Sequence, residues 1–181
     1  NIKIDEYILH HESHAATGYY TSPFRECVAL TVDAIGEWDT ISIWLCSNGD
    51  MELKERVRYP HSLGILYSAF TKRVGLKPAE EEYILMGMAA YGTPKYKDDI
   101  YKDFVKRNPF RLKRNLHKGI GDWHPEADVM DLAASVQAVA EDCLTDLWQR
   151  ASRYAGFGNN NLVYAGGVAL NCAANRVLAN Q

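Results

Sequence analysis

Asn48-Gly49 separates two runs of strand-forming residues, "ISIWLCS" before it and "MELKERVRY" after it. An Asn-Gly link between such runs is the strongest short-range hairpin pattern, because both residues tolerate the positive φ of a tight two-residue turn. It commits this part of the chain to antiparallel pairing. A further β-branched run, "CVALTVD", precedes it across "AIGEWDT", so three antiparallel strands are expected in a row at Cys27–Asp33, Thr40–Ser47 and Met51–Tyr59.

After "YPH" the apolar period changes. Leu63, Leu66, Tyr67, Phe70 and Val74 recur at helical spacing, and Gly75 closes that helix. Glu80 to Met88 reads as a second helix, "AAYGTPKY" as a turn, and Lys97 to Arg107 as a third helix. Residues 108–126 mix prolines, glycines and basic side chains and read as an irregular connector with a solvated basic surface. Residues 127–155 carry one long apolar stripe, from Val129 through Leu132, Val136, Val139, Cys143 and Leu147 to Tyr154, ended by Gly156 and Gly158. "NLVYA" then reads as a short buried strand, "GG" as a turn and "VALNCAANRVLA" as a helix start. At the other end, Ile4–Leu9 reads as a buried strand and Glu12–Tyr20 as a helix that stops before Pro23. Three antiparallel strands, several helices and a strand–Gly-Gly–helix unit argue for a mixed α/β domain rather than a bundle or a sandwich.

The 181 residues are 47% hydrophobic, enough to bury a core, and the net charge of −3 argues against a large nucleic-acid footprint. No apolar run approaches the ~20 residues of a membrane span. Cys27, Cys46, Cys143 and Cys172 form no CxxC pair and are expected as buried free thiols in a reducing, cytoplasmic compartment. The chain opens at "NIKIDEY" without an initiator Met and stops at "NRVLANQ" inside a helix-like run, so it is expected to be an excised segment of a longer protein.

Three of the six histidines, His10, His11 and His14, fall in "HHESH". On a helix, positions i and i+4 share a face, so His10 and His14 form one candidate metal-ligand pair, and His11 with His14 at i and i+3 form the competing one. The pattern is not HExxH, so the general base of a zinc peptidase is missing. Asp33 ends "ALTVD" at the carboxyl edge of a strand, beside a glycine turn, where side chains leave a packed sheet. Together with two imidazoles it completes a two-His, one-carboxylate set. In "VYAGGVALN", Gly166-Gly167 lets the backbone approach a ligand, and the amides of the helix expected to start there favour an anion. There is no GxxxxGK(S/T), so a nucleotide would be held without a P-loop. Gly64, Gly87 and Gly92 interrupt helix-like runs and are expected at close contacts. His11 and His61 are expected as satisfied structural histidines.

In order, "HHESHAA", "SPF", "ALTVDAIGEW", "PHSLGILYSAFT", "EYILMGMAAYGTPKY" and "AGGVALNCAANRVL" span nearly the whole chain. This series resembles the NodU/CmcH-type O-carbamoyltransferases. The resemblance implies an actin-like ATPase (ribonuclease H-like) fold, incomplete at both ends, shared with sugar kinases and the tRNA threonylcarbamoyl-transferase. It implies transfer of a carbamoyl group from carbamoyl phosphate, with consumption of ATP through a carbamoyl-adenylate, to a hydroxyl of a small molecule or sugar. It assigns His10, His14 and Asp33 as ligands of Fe(II), although the residue set alone also admits zinc or manganese. It sets Gly166, Gly167 and Asn171 against the adenylate. A further aspartate ligand is expected beyond Gln181, a phosphate-binding strand before Asn1, and a YrdC-like domain elsewhere. Three positions depart from the pattern: Ala34 stands for the usual glycine, Ile84 for a common lysine and Ala90 for a frequent proline. The alternatives are a tRNA-directed threonylcarbamoyl-transferase of the same fold, which would show a basic surface, and a non-catalytic fragment.

Overall fold

The computed structural model describes residues 7–156 and 161–180. The three predicted strands are present as β1 (Glu26–Gly36), β2 (Asp39–Ser47) and β3 (Asp50–Arg58), each antiparallel to the next. Asn48 and Gly49 take φ of +53° and +91° at the β2–β3 turn, the conformation for which that dipeptide is suited. β6 (Leu162–Ala165) comes from the far end of the chain and lies parallel to β1, so the sheet order is β3-β2-β1-β6. β1 is therefore a central strand, and Cys27–Val32 is buried without interruption.

Both faces of the sheet are covered. Val28, Leu30 and Val32 of β1 join Ile41 and Ile43 of β2 under α2 (Leu63–Arg73) and α5 (Val129–Ala155), in one core that includes Leu66, Phe70, Leu132, Val136 and Leu144. The alternate residues Cys27 and Ala29 face the other way and pack with Trp44, Cys46 and Val163 against Ala15 and Tyr19 of α1 (His10–Thr21). The period of two along a strand thus produces a three-layer α/β arrangement. α5 begins at the Asp128 cap, whose carboxylate accepts from the amides of Met130 and Asp131, and ends at Gly156 with φ of +76°. α3 (Glu82–Met88) and α4 (Lys97–Asp103) are short helices between α2 and α5.

Several expectations are corrected. Of the strand expected at Ile4–Leu9, residues 4–6 lie outside the described residues, and Tyr7, Ile8 and Leu9 are exposed and outside any strand. The helix expected to reach Arg107 stops at Asp103, because Phe104 and Val105 turn into the core. Val105–Lys106 (β4), at the end of the expected helix, then pairs with Arg111–Leu112 (β5), inside the stretch expected to be irregular. The helix expected after Gly167 is a 3₁₀ turn at Gly167–Leu170, and α6 (Cys172–Ala179) starts only afterwards. Cys27, Cys46 and Cys143 are buried free thiols as expected, but Cys172 is exposed. Gly158 lies outside the described residues. Among those residues, no helix is long and apolar enough to cross a membrane.

Candidate functional site

α1 starts at His10, so the three histidines occupy its first turns and point in different directions. His11, Ala15 and Tyr19 form the buried stripe against the sheet. His10 and His14 lie on the neighbouring stripe, with side chains 43% and 36% exposed. This decides between the two candidate pairs. His10 Nε2 and His14 Nε2 are 3.1 Å apart, and they lie 3.0 Å and 3.2 Å from Asp33 Oδ2. For ligand bonds of about 2.1 Å, donors sit about 3.0 Å apart at right angles and about 3.4 Å at the tetrahedral angle. The three atoms therefore already form a face of either polyhedron, with the opposite side open.

Asp33 is held in place by backbone hydrogen bonds. Its Oδ1 accepts from the Ala34 amide at 2.7 Å, and the Gly167 backbone also hydrogen-bonds the carboxylate. Burial pushes the carboxyl up, yet the hydrogen bond from His10 and those from Ala34 and Gly167 together outweigh it and hold the group below its ordinary value. It is ionised at neutral pH, with Oδ2 turned to the imidazoles. Gly36, at the end of β1, closes the site from below. A Cβ there would meet His10 Cδ2 at 2.3 Å and His11 Cδ2 at 2.6 Å.

The glycine pair comes to Asp33 because β6 runs parallel to β1. Gly166 has φ of +96°, and a Cβ on it would be 2.3 Å from the Val32 carbonyl oxygen. A Cβ on Gly167 would be 2.9 Å from Asp33 Oδ1. Both glycines thus let the turn lie flush on the end of β1. The motif "PHSLG" performs the same service for α2. Ser62 accepts from the Ile65 amide as the helix cap and donates to the Ala34 carbonyl at 2.6 Å. A Cβ on Gly64 would be 2.7 Å from Ala34 Cα. Gly92 is equally confined, since a Cβ on it would be 2.0 Å from the Met130 carbonyl oxygen, whereas a Cβ on Gly87 would meet nothing within 4 Å, so Gly87 is not at a close contact.

Between α2, α3 and the glycine turn lies a cavity of about 380 Å³, with Asp33 at one end. Tyr67 and Ser68 form one wall, Glu82, Tyr83 and Met86 another, and Gly167, Val168 and Asn171 a third. Gly167 and Asn171 line it, whereas Gly166 is turned to the β1 backbone. Its charged lining residues are Asp33, Glu80 and Glu82, all acidic. Such a cavity suits an uncharged, hydroxyl-bearing group better than a phosphate. In the 3₁₀ turn the Ala169 amide donates to the Gly166 carbonyl and the Asn171 amide to the Val168 carbonyl, and at the start of α6 the Asn171 side chain accepts from the Ala174 amide.

Sequence reasoning missed Gln137. It is buried on α5, and its amide is fully used. Nε2 donates to Asn171 Oδ1 and Glu141 Oε1, and Oε1 accepts from Asn171 Nδ2 and the Tyr67 hydroxyl. The one signal in the sequence was a glutamine beside Val136 inside the apolar stripe. His61 is engaged as expected, its Nδ1 accepting from the Leu112 amide at 3.2 Å.

The family described as "Carbamoyltransferase N-terminus" matches residues 3–181. An uncharacterized protein of Synechocystis is 40% identical over 92% of this chain, and one of Methanocaldococcus jannaschii is 30% identical, also over 92%. The nodulation protein NolNO of Sinorhizobium fredii is 30% identical over 93% of this chain. The chain spans 30%, 31% and 26% of the lengths of these three relatives.

Proposed function

The chain belongs to the carbamoyltransferase N-terminus family, and from that premise we propose that it carries the transfer site of an ATP-dependent O-carbamoyltransferase on an actin-like ATPase fold. The carbamoyl group comes from carbamoyl phosphate by way of carbamoyl-adenylate and goes to a hydroxyl of a small molecule or sugar. The observation that carries this reading is the convergence of His10 and His14 on Asp33, which itself lines a cavity walled by Gly167 and Asn171.

His10, His14 and Asp33 would hold a divalent ion, Fe(II) by the family resemblance, with zinc and manganese compatible with the same donors. When bound it supplies Lewis-acid polarisation of carbonyl and phosphate oxygens. The acidic, partly apolar cavity takes the nucleoside, and its Asp33 end adjoins the ligand cluster, where the charged end of the adenylate belongs. The Ala34 and Gly167 amides fix the Asp33 carboxylate, and the exposed edges of His10 and His14 leave room for the acceptor. In the transfer, the acceptor oxygen bonds to the carbamoyl carbon and its proton passes to a base. The bond from that carbon to the adenylate oxygen breaks, and AMP departs with its electron pair.

The test is AMP release by the full-length enzyme, dependent on ATP, carbamoyl phosphate and a panel of sugar acceptors. His10→Ala and His14→Ala should each lose bound metal, by elemental analysis, and AMP release together. Full activity in a metal-free double variant would overturn the reading.

A further inference from the structure

We propose that His11 is a positioning residue for the metal centre: its buried ring locks the rotation of α1 so that His10 and His14 meet Asp33. This rests on the metal reading of that cluster. His11 is 2% exposed, and its Nδ1 lies 2.6 Å from Thr31 Oγ1 and 3.2 Å from Ser42 Oγ. Thr31 and Ser42 are themselves 2.5 Å apart, and Trp44 Nε1 donates to Ser42 Oγ at 2.7 Å.

The indole can only donate, so Ser42 Oγ is its acceptor. With Ser42 donating to Thr31, and Thr31, the nearer hydroxyl, donating to His11 Nδ1, the chain runs from the indole to the imidazole. Every hydroxyl proton then has an acceptor. In that arrangement the ring proton is on Nε2, which has no partner among the described residues. A side chain kept for packing alone would carry no polar atom there, so what the imidazole contributes is the directional bond through Nδ1.

The geometry explains why that bond matters. Thr31 and Asp33 are two apart on β1 and share a face, while His10 and His11 are neighbours on one turn of α1. The His11–Thr31 bond and the His10–Asp33 contact therefore join the same helix turn to the same strand end. At the far end of α1 a different anchor serves: the Tyr19 hydroxyl donates to the Arg25 carbonyl and accepts from the Gly49 amide. His11 is thus the directional tie at the ligand end.

The test compares Zn(II) affinity, by competition with a chromophoric chelator, with the melting temperature of the metal-free protein. His11→Leu and Thr31→Val should weaken Zn(II) binding about 10- to 100-fold, the usual effect of losing an outer-shell partner. His11→Asn, whose amide can take the place of Nδ1, should regain most of it. Tyr19→Phe should lower the melting temperature and leave the Zn(II) constant unchanged. A folded His11→Leu or Thr31→Val variant with wild-type affinity would overturn the proposal, as would a Tyr19→Phe variant that loses affinity equally. Thr31→Val carries the test if His11→Leu does not fold. Wild-type protein that binds no Zn(II) would overturn the metal reading itself, a result distinct from wild-type binding that the variants leave intact.

Discussion

At the scale of single residues, the glycines show how much of the site is set by what a side chain would strike. Gly166 combines a left-handed backbone with a carbonyl oxygen at 2.3 Å from the missing Cβ. Gly166→Ala should therefore destabilise the protein by about 1–3 kcal/mol or more in chemical denaturation, the cost of a strained backbone position. Gly87 is the opposite case: it lies exposed in α3 with nothing within 4 Å. Gly87→Ala should be neutral or gain up to about 1 kcal/mol, because alanine is the better helix former. In the sequence Gly166 reads as part of a turn and Gly87 as a close contact inside a helix; the β1 backbone that arrives beside Gly166 explains the first, and nothing arrives beside Gly87. The histidines behave similarly. Helical spacing left His10–His14 and His11–His14 both open, and it took the strand beneath α1 to decide which ring turns inward.

Among the elements, those read from period were found near their expected bounds. β1, β2, α1, α2 and α5 each bury a stripe of residues, and β3, which buries none fully, was placed by the Asn48-Gly49 turn before it. What was not legible is short and held by distant partners. β4 and β5 are two residues each and exist only as a pair, and the 3₁₀ turn at Gly167–Leu170 takes its place beside Asp33. The turn after α3 is docked in the same way. Asp131, at the start of α5, accepts from the Thr93 amide and hydroxyl and from Lys95. The Lys95 hydrogen bond, with those from Thr93, holds the Asp131 carboxyl below its usual value. A carboxyl depressed in the folded state contributes stability above its unfolded value, about 3.9, and loses it as the pH falls through the folded one. Asp131→Asn should thus melt below wild type at neutral pH, with the gap closing in acid. A gap independent of pH would show that the charge is not what holds the turn.

For the whole molecule, the decisive event is the parallel pairing of β6 with β1, since it carries Gly166-Gly167 from one end of the chain to the Asp33 edge. No local pattern announces that pairing; it follows only once β1 is known to be central and buried on both faces. The family resemblance supplied His10, His14 and Asp33 as a set, and their spacing in the fold agrees with a common ion. The most direct test is a crystal grown with Fe(II) and measured at the iron absorption edge. The account predicts one anomalous peak about 2.0–2.2 Å from His10 Nε2, His14 Nε2 and Asp33 Oδ2 together. A peak bound elsewhere, or none at this cluster in protein that retains iron, would contradict it.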